Sequence, residues 1–183
     1  LISEVQAHFA SLNKPSPLFI YVPRAPDRFK LVANMIVGRG FRYAKRTTWL
    51  DHILHPLTDT AVGTFDILLG DSLGEMYFYL ELCDLAIVGG GFSPKGSHNI
   101  SEPICLKKPV IIGPNDYTIE FPAREAIAAG VCLKMDFDKL TDQLTQSPLQ
   151  FTTKAQLESF LEDVGGGTAK TIAAIDSFLP LTS

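Results

Sequence analysis

The residues of this 183-residue chain best suited to chemistry gather in short loops, the densest running from Gly89 to Pro103. There Lys95, Ser97, His98, Asn99 and Glu102 alternate with Gly89, Gly90, Gly91 and Gly96. A loop kept for stability alone seldom carries that mixture. Pro103 fits the first turn of a helix, where its missing amide costs nothing, so His98, Asn99 and Ser101 fall at or just before a helix start. Free amides and partial positive charge at such a start suit a phosphate. Glu102 is an acceptor able to take two vicinal hydroxyls, as the acidic residue of a nucleotide-binding sheet takes a ribose. The structural alternative is that Glu102 complements the helix dipole and His98 is a packed loop histidine.

Three further loops carry weaker signals. Val22-Pro23-Arg24-Ala25-Pro26 is stiffened by its prolines and places Arg24 for a forked contact with a phosphate or carboxylate, or simply at the surface. In Gly70-Asp71-Ser72-Leu73-Gly74-Glu75, Ser72 and Glu75 have the spacing of a capping box, and Gly70 and Gly74 give room for backbone amides to approach an anion. Gly113-Pro114-Asn115-Asp116-Tyr117 reads as a plain turn with one aromatic that could border a base or sugar. Other patterns fail. Gly165-Gly166-Gly167-Thr168-Ala169-Lys170-Thr171 lacks the adjacent Gly-Lys and the preceding strand of a phosphate loop, and no Gly-x-Gly-x-x-Gly pattern occurs. Asp51, His52 and His55 lack third-ligand spacing for a metal.

These loops need elements to hold them, and a β/α rhythm supplies those. Short apolar runs at 18–22, 65–69, 85–88, 110–112 and 131–133 read as strands. Helical spacing follows over 27–37, 75–83, 103–106 and 121–129. Near-continuous apolar strands alternating with helices imply a parallel sheet covered on both faces, a Rossmann-like doubly wound α/β fold whose ligands bind beyond the strand C-termini. Residues 154–179 read as helical, broken at Gly165-Gly166-Gly167. The length predicts one domain over 1–183, with 154–183 a helical tail.

Hydrophobic residues at 46% and charged residues at 20% exclude a disordered or fibrous chain. No apolar run reaches the roughly 18 residues of a bilayer span. The net charge is −4, yet residues 1–50 carry +6 and residues 51–183 carry −10, so a basic first third could face an anion or be an ordinary solvated face. Cys83, Cys105 and Cys132 are odd in number and sit in apolar surroundings, which predicts buried free thiols in a reducing compartment. The start at Leu1, without Met, suggests a piece of a longer protein.

Taken in order, Val22-Pro23-Arg24, Leu69 to Glu75, Val88-Gly89-Gly90 and Pro94 to Pro103 resemble the 3-deoxy-D-manno-octulosonic acid (Kdo) transferases of lipopolysaccharide biosynthesis, from about Leu18 to Leu133. The resemblance implies the C-terminal lobe of a GT-B glycosyltransferase, binding CMP-Kdo, with an absent N-terminal lobe that holds the lipid A precursor and supplies the general base. Arg24, Ser72, Gly74, Glu75, Gly90, Lys95, His98, Asn99 and Glu102 are the implied donor-nucleotide residues, Glu102 on the ribose and Ser72, His98 and Asn99 on phosphate or sugar. Ala25 and Ser97 depart from the family's Pro-Arg-His-Pro and Gly-Gly-His-Asn patterns. No metal, cofactor or nucleic acid is implied. The full protein is expected at the cytoplasmic face of a Gram-negative inner membrane, with Lys45 and Arg46 among the basic residues facing anionic lipid. Open alternatives are the nucleotide lobe of another GT-B transferase or an epimerase using a UDP-sugar, and a non-catalytic interaction module.

Overall fold

A computed structural model describes residues 1–59, 61–146 and 151–178. The chain divides into two compact units, each a parallel sheet flanked by helices, the α/β architecture expected. The expected tail position Leu179, and everything after it, lies outside the described residues.

The first unit takes residues 1–83 and returns to include a later helix. Its strands are β1 (Phe19–Tyr21), β2 (Tyr43–Lys45) and β3 (Ile67–Leu69), in the order β1-β3-β2. Ile67, Leu68 and Leu69 are buried, as a continuous apolar run in a central parallel strand should be. Helix α1 spans Ile2–Ser11, α2 Asp27–Gly38, α3 Arg46–Trp49 and α4 Met76–Leu82. Val32, Ala33 and Ile36 recur at helical spacing on α2 and pack with Ile67 and Leu69. The returning helix, α7 (Leu140–Thr145), packs against α1, where Thr141 donates to Glu4 at 2.8 Å.

In the second unit β4 (Ala86–Val88), β5 (Val110–Ile112) and β6 (Cys132–Lys134) run in that spatial order. Its helices are α5 (Ser101–Cys105), α6 (Glu120–Ala128), α8 (Lys154–Val164) and α9 (Gly167–Phe178). Val110, Ile111 and Ile112 are fully buried, and Ile100, Ile104, Leu157 and Phe160 are buried with them. Thr153 and Gln156 form a reciprocal capping box that fixes the start of α8, and the chain breaks between α8 and α9 at the glycines.

Several expectations need correction. Ser72 and Glu75 make no cap, for α4 begins at Met76 without any side-chain cap bond. The helix expected from Phe121 is interrupted there, with Phe121 extended ahead of Pro122, because proline disfavours the helical region for its predecessor. Of the three cysteines only Cys132 is buried; Cys83 is half-buried and Cys105 exposed on a five-residue helix with too little surface to hide it. Burial pushes the Cys132 thiol up to about 12, with Asp116 adding to the shift. Helices α1, α3 and α7 and strand β2 were not expected.

Candidate functional site

Parallel pairing brings the site loops of each unit to one sheet edge. In the first, Tyr21, Leu69 and Lys45 are aligned at the strand C-termini, so Arg24, Ser72 and Arg46 all follow from the same edge. In the second, Val88, Ile112 and Lys134 are aligned, which sets the 89–102 loop beside the 113–118 loop.

The first unit centres on a charge that the spacing did not predict. Arg46, 4% exposed, forms an ion pair with Glu75, while its Nη1 donates to the Leu50 carbonyl at 3.3 Å. Arg46 therefore does not face a lipid surface, as expected from its basic neighbourhood; its guanidinium points into the protein. The other oxygen of Glu75 accepts from the Ser72 hydroxyl, which lies 2.8 Å from the Tyr79 hydroxyl. A serine hydroxyl has one proton to give. With that proton on Glu75, the Ser72–Tyr79 contact is one in which Tyr79 donates. Burial raises the Tyr79 phenol above its ordinary value.

Asp71 makes the second tie of this loop. Its carboxylate accepts from the Thr47 amide at 3.0 Å and the Thr47 hydroxyl at 2.7 Å, anchoring the first turn of α3. Gly70 serves packing and not anion approach, since a Cβ there would lie 2.9 Å from the Tyr79 ring and 3.1 Å from Val22. Gly74, with φ +77°, turns the exposed tip of the loop. Arg24 is exposed beyond β1.

In the second unit the glycines permit backbone to lie on backbone. Gly90 has φ +88°, and a Cβ on it would run into the Gly96 carbonyl. Gly91 and Gly113 are pressed together so closely that a Cβ on Gly113 would meet the Gly91 backbone. The 113–118 loop is thus a brace and more than a turn. Asn115 donates its amide and its Nδ2 to the Gly91 carbonyl at 3.0 and 3.1 Å. Tyr117 donates to the Pro94 carbonyl at 2.7 Å, and Thr118 to the Ser97 carbonyl at 2.6 Å. Ser97, standing where the family pattern has glycine, is buried with no hydrogen-bond partner for its hydroxyl.

The candidate side chains sit on this frame. His98 donates its amide to the Gly89 carbonyl at 3.1 Å, and its ring lies against Gly89 and Gly90. Asn99 accepts from the Ser101 amide at 2.9 Å, an Asx turn that leads into α5 and leaves its Nδ2 protons as the donors for a ligand. Lys95 is exposed and Glu102, in the first turn of α5, half-buried. His98 and Asn99 offer N–H donors, Lys95 an exposed cation and Glu102 an acceptor, a set suited to an anionic polyhydroxyl ligand.

Arg46, Thr47, Tyr79, Asn115 and Thr118 are participants that sequence reasoning missed. The only local signal for Arg46, Thr47, Asn115 and Thr118 was a position after a strand C-terminus, with β2 itself unseen, and Tyr79 lies inside α4. Asp51, His52 and His55 form a turn in which Asp51 accepts the Ile53 and His55 amides at 2.9 and 2.8 Å. Among the described residues no helix is long and apolar enough to cross a membrane.

No family model matches the chain. It is 34% identical over 183 residues to the 3-deoxy-D-manno-octulosonic acid transferase of Bordetella pertussis, covering 97% of this chain and 40% of that protein. Against the transferase of the same name from Haemophilus influenzae it is 34% identical over 119 residues, covering 64% of this chain and 25% of the relative. The chain thus spans two-fifths or less of these relatives. Its fold is that of the C-terminal CMP-Kdo binding domain of WaaA from Acinetobacter baumannii, with a TM-score of 0.67, 23% identity and coverage of 86% of this chain and 81% of that one. Along almost its whole length the chain is thus a sequence relative of the 3-deoxy-D-manno-octulosonic acid transferases.

Proposed function

We propose that this chain is the donor-binding half of a glycosyltransferase that moves Kdo from CMP-Kdo to the lipid A precursor. The observation that carries the reading is identity to Kdo transferases along almost the whole chain, together with polar loops at the strand C-termini of both sheets. The residues proposed for donor binding are Arg24, Ser72, Gly74, Glu75, Gly90, Lys95, His98, Asn99 and Glu102. Glu102 accepts from the ribose hydroxyls, while Arg24, Lys95, His98 and Asn99 meet the phosphate and sugar.

In the reaction the bond between the anomeric carbon of Kdo and the phosphate oxygen of CMP breaks, and that oxygen keeps the electron pair. Arg24 opposes the charge developing on the leaving phosphate. The acceptor hydroxyl bonds to the anomeric carbon and gives its proton to a carboxylate on an N-terminal lobe. CMP-Kdo is the donor substrate, and the reading assigns no metal. The whole enzyme works at the cytoplasmic face of a Gram-negative inner membrane, where its lipid acceptor lies. This chain alone binds donor without turning it over.

Calorimetric titration with CMP and UMP tests the proposal. Binding of CMP in preference to UMP, weakened about tenfold or more by Glu102→Ala, is expected, since losing a charge-assisted bond costs about 1.5–3 kcal/mol. Preference for UMP would favour a UDP-sugar transferase, and binding of neither nucleotide would sink the donor role.

A further inference from the structure

Arg46 stands outside every set of site residues that sequence or family pattern supplied, yet it is the most deeply buried charge among the described residues. We propose that Arg46 is a positioning residue of the donor site, holding Glu75 and through it Ser72 in the geometry that meets the donor. The inference rests on the donor-binding reading above and adds to it the device that orders the 70–75 loop.

Stability alone gives little reason for such an arginine. Burying a guanidinium costs several kcal/mol, roughly balanced at best by its pairing, and an apolar residue of similar size is commonly as stable. Here the balance is poorer still, because the Arg46 Nε is buried without a partner. What the arginine does supply is direction. One Glu75 oxygen is fixed by Arg46 and the other by Ser72, so the carboxylate cannot turn, and the Ser72 hydroxyl is held between Glu75 and Tyr79. Asp71 pins Thr47, the residue after Arg46, from the same loop. The 70–75 loop is thereby tied to α3 at two points, 71 to 47 and 75 to 46, along the edge where β2 and β3 end together.

The consequence is chemical as well as geometric. With its proton directed to Glu75, Ser72 presents lone pairs, and Glu75 is an acceptor. The pair matches donor hydroxyls better than phosphate oxygens, leaving the phosphate to the cationic side chains.

The test titrates the 183-residue chain with CMP-Kdo and, separately, with CMP, comparing wild type with Arg46→Met, Glu75→Gln and the double variant. The double variant removes both charges and guards against a single variant that fails to fold. Thermal melts establish that each protein is folded at the titration temperature. Arg46→Met and Glu75→Gln should each weaken CMP-Kdo about tenfold and the double variant no further, because both act through one unit. CMP, lacking the Kdo hydroxyls, should change by less than threefold. Arg46→Lys, which keeps charge but loses the fork, should recover only part of the CMP-Kdo affinity. Independent losses that multiply to about a hundredfold, or wild-type affinity in folded Arg46→Met, would overturn the positioning role while leaving the donor reading intact. A wild type that binds neither ligand overturns both.

Discussion

At the scale of single residues, glycines that look alike in sequence have different duties. Gly74 and Gly90 both adopt a positive φ, +77° and +88°, which a side chain resists. They differ in what surrounds them: a Cβ on Gly74 enters open space, whereas one on Gly90 collides with the Gly96 carbonyl in a loop braced by Asn115, Tyr117 and Thr118. Gly74→Ala therefore carries only the backbone cost, about 1–2 kcal/mol. Gly90→Ala adds the displacement of backbone, for a total of about 3 kcal/mol or more. Urea denaturation of the two variants measures the contrast, and equal losses would mean that the Gly90–Gly96 approach is not maintained in solution. The sequence made the presence of glycine around 89–96 conspicuous but not its reason. The expected role was ligand approach, while the contact that requires Gly90 is with the chain itself, and Gly91 needs Gly113 from the next strand's loop. A partner twenty-two residues away leaves no local pattern.

At the scale of elements, the strands that were legible are those whose apolar runs are buried from end to end, such as Ile67–Leu69 and Val110–Ile112. Tyr43–Lys45 was not, since Arg42, Lys45 and Arg46 give it the look of a charged loop and its three strand residues are only half-buried. Its place is fixed from outside by pairing with β3 and by a clasp at its start. Asp66, just before β3, accepts from the Arg42 amide at 2.9 Å and from its Nε and Nη2 at 3.2 and 2.8 Å. The Arg42 hydrogen bond holds the Asp66 carboxyl below its ordinary value, against a smaller opposing effect of burial. A carboxyl depressed in the folded state stabilises above its unfolded pKa, about 3.9, and loses that stabilisation as pH falls through the folded value. Wild type should therefore exceed Asp66→Asn in stability at pH 7, and the gap should close as pH drops below about 4. Thermal melts of both proteins between pH 7 and pH 2.5 check the sign. A gap that widens in acid would remove the clasp as the device that sets β2.

For the whole molecule, connectivity decides what can be separated. The chain leaves the first unit after Cys83, builds the β4-β5-β6 sheet, returns to the first unit with α7, and then supplies α8 and α9 to the second. The fold type was readable from the alternation of apolar runs and helices, because parallel strands need crossover elements. The return was not, since Leu140-Thr141-Asp142-Gln143-Leu144 is too short to show a period and its partner, α1, lies at the other end of the sequence. Val5 on α1 and Leu140 and Leu144 on α7 are all buried, so the first unit depends on residues more than fifty positions beyond its other boundary. The single tryptophan, Trp49, belongs to that unit and meets the Phe65 ring edge-on at 5.5 Å, giving a fluorescence signal for the first unit alone. Leu144→Ala should lower the stability reported by Trp49 by about 2–4 kcal/mol, as expected for a buried leucine near a helix end. If the threaded connection makes the units unfold together, the far-UV circular dichroism transition, which averages over both, shifts by the same amount and stays coincident with Trp49. A Trp49 transition that moves ahead of an unchanged circular dichroism transition would instead make each unit a separate cooperative block, despite the chain's passage between them.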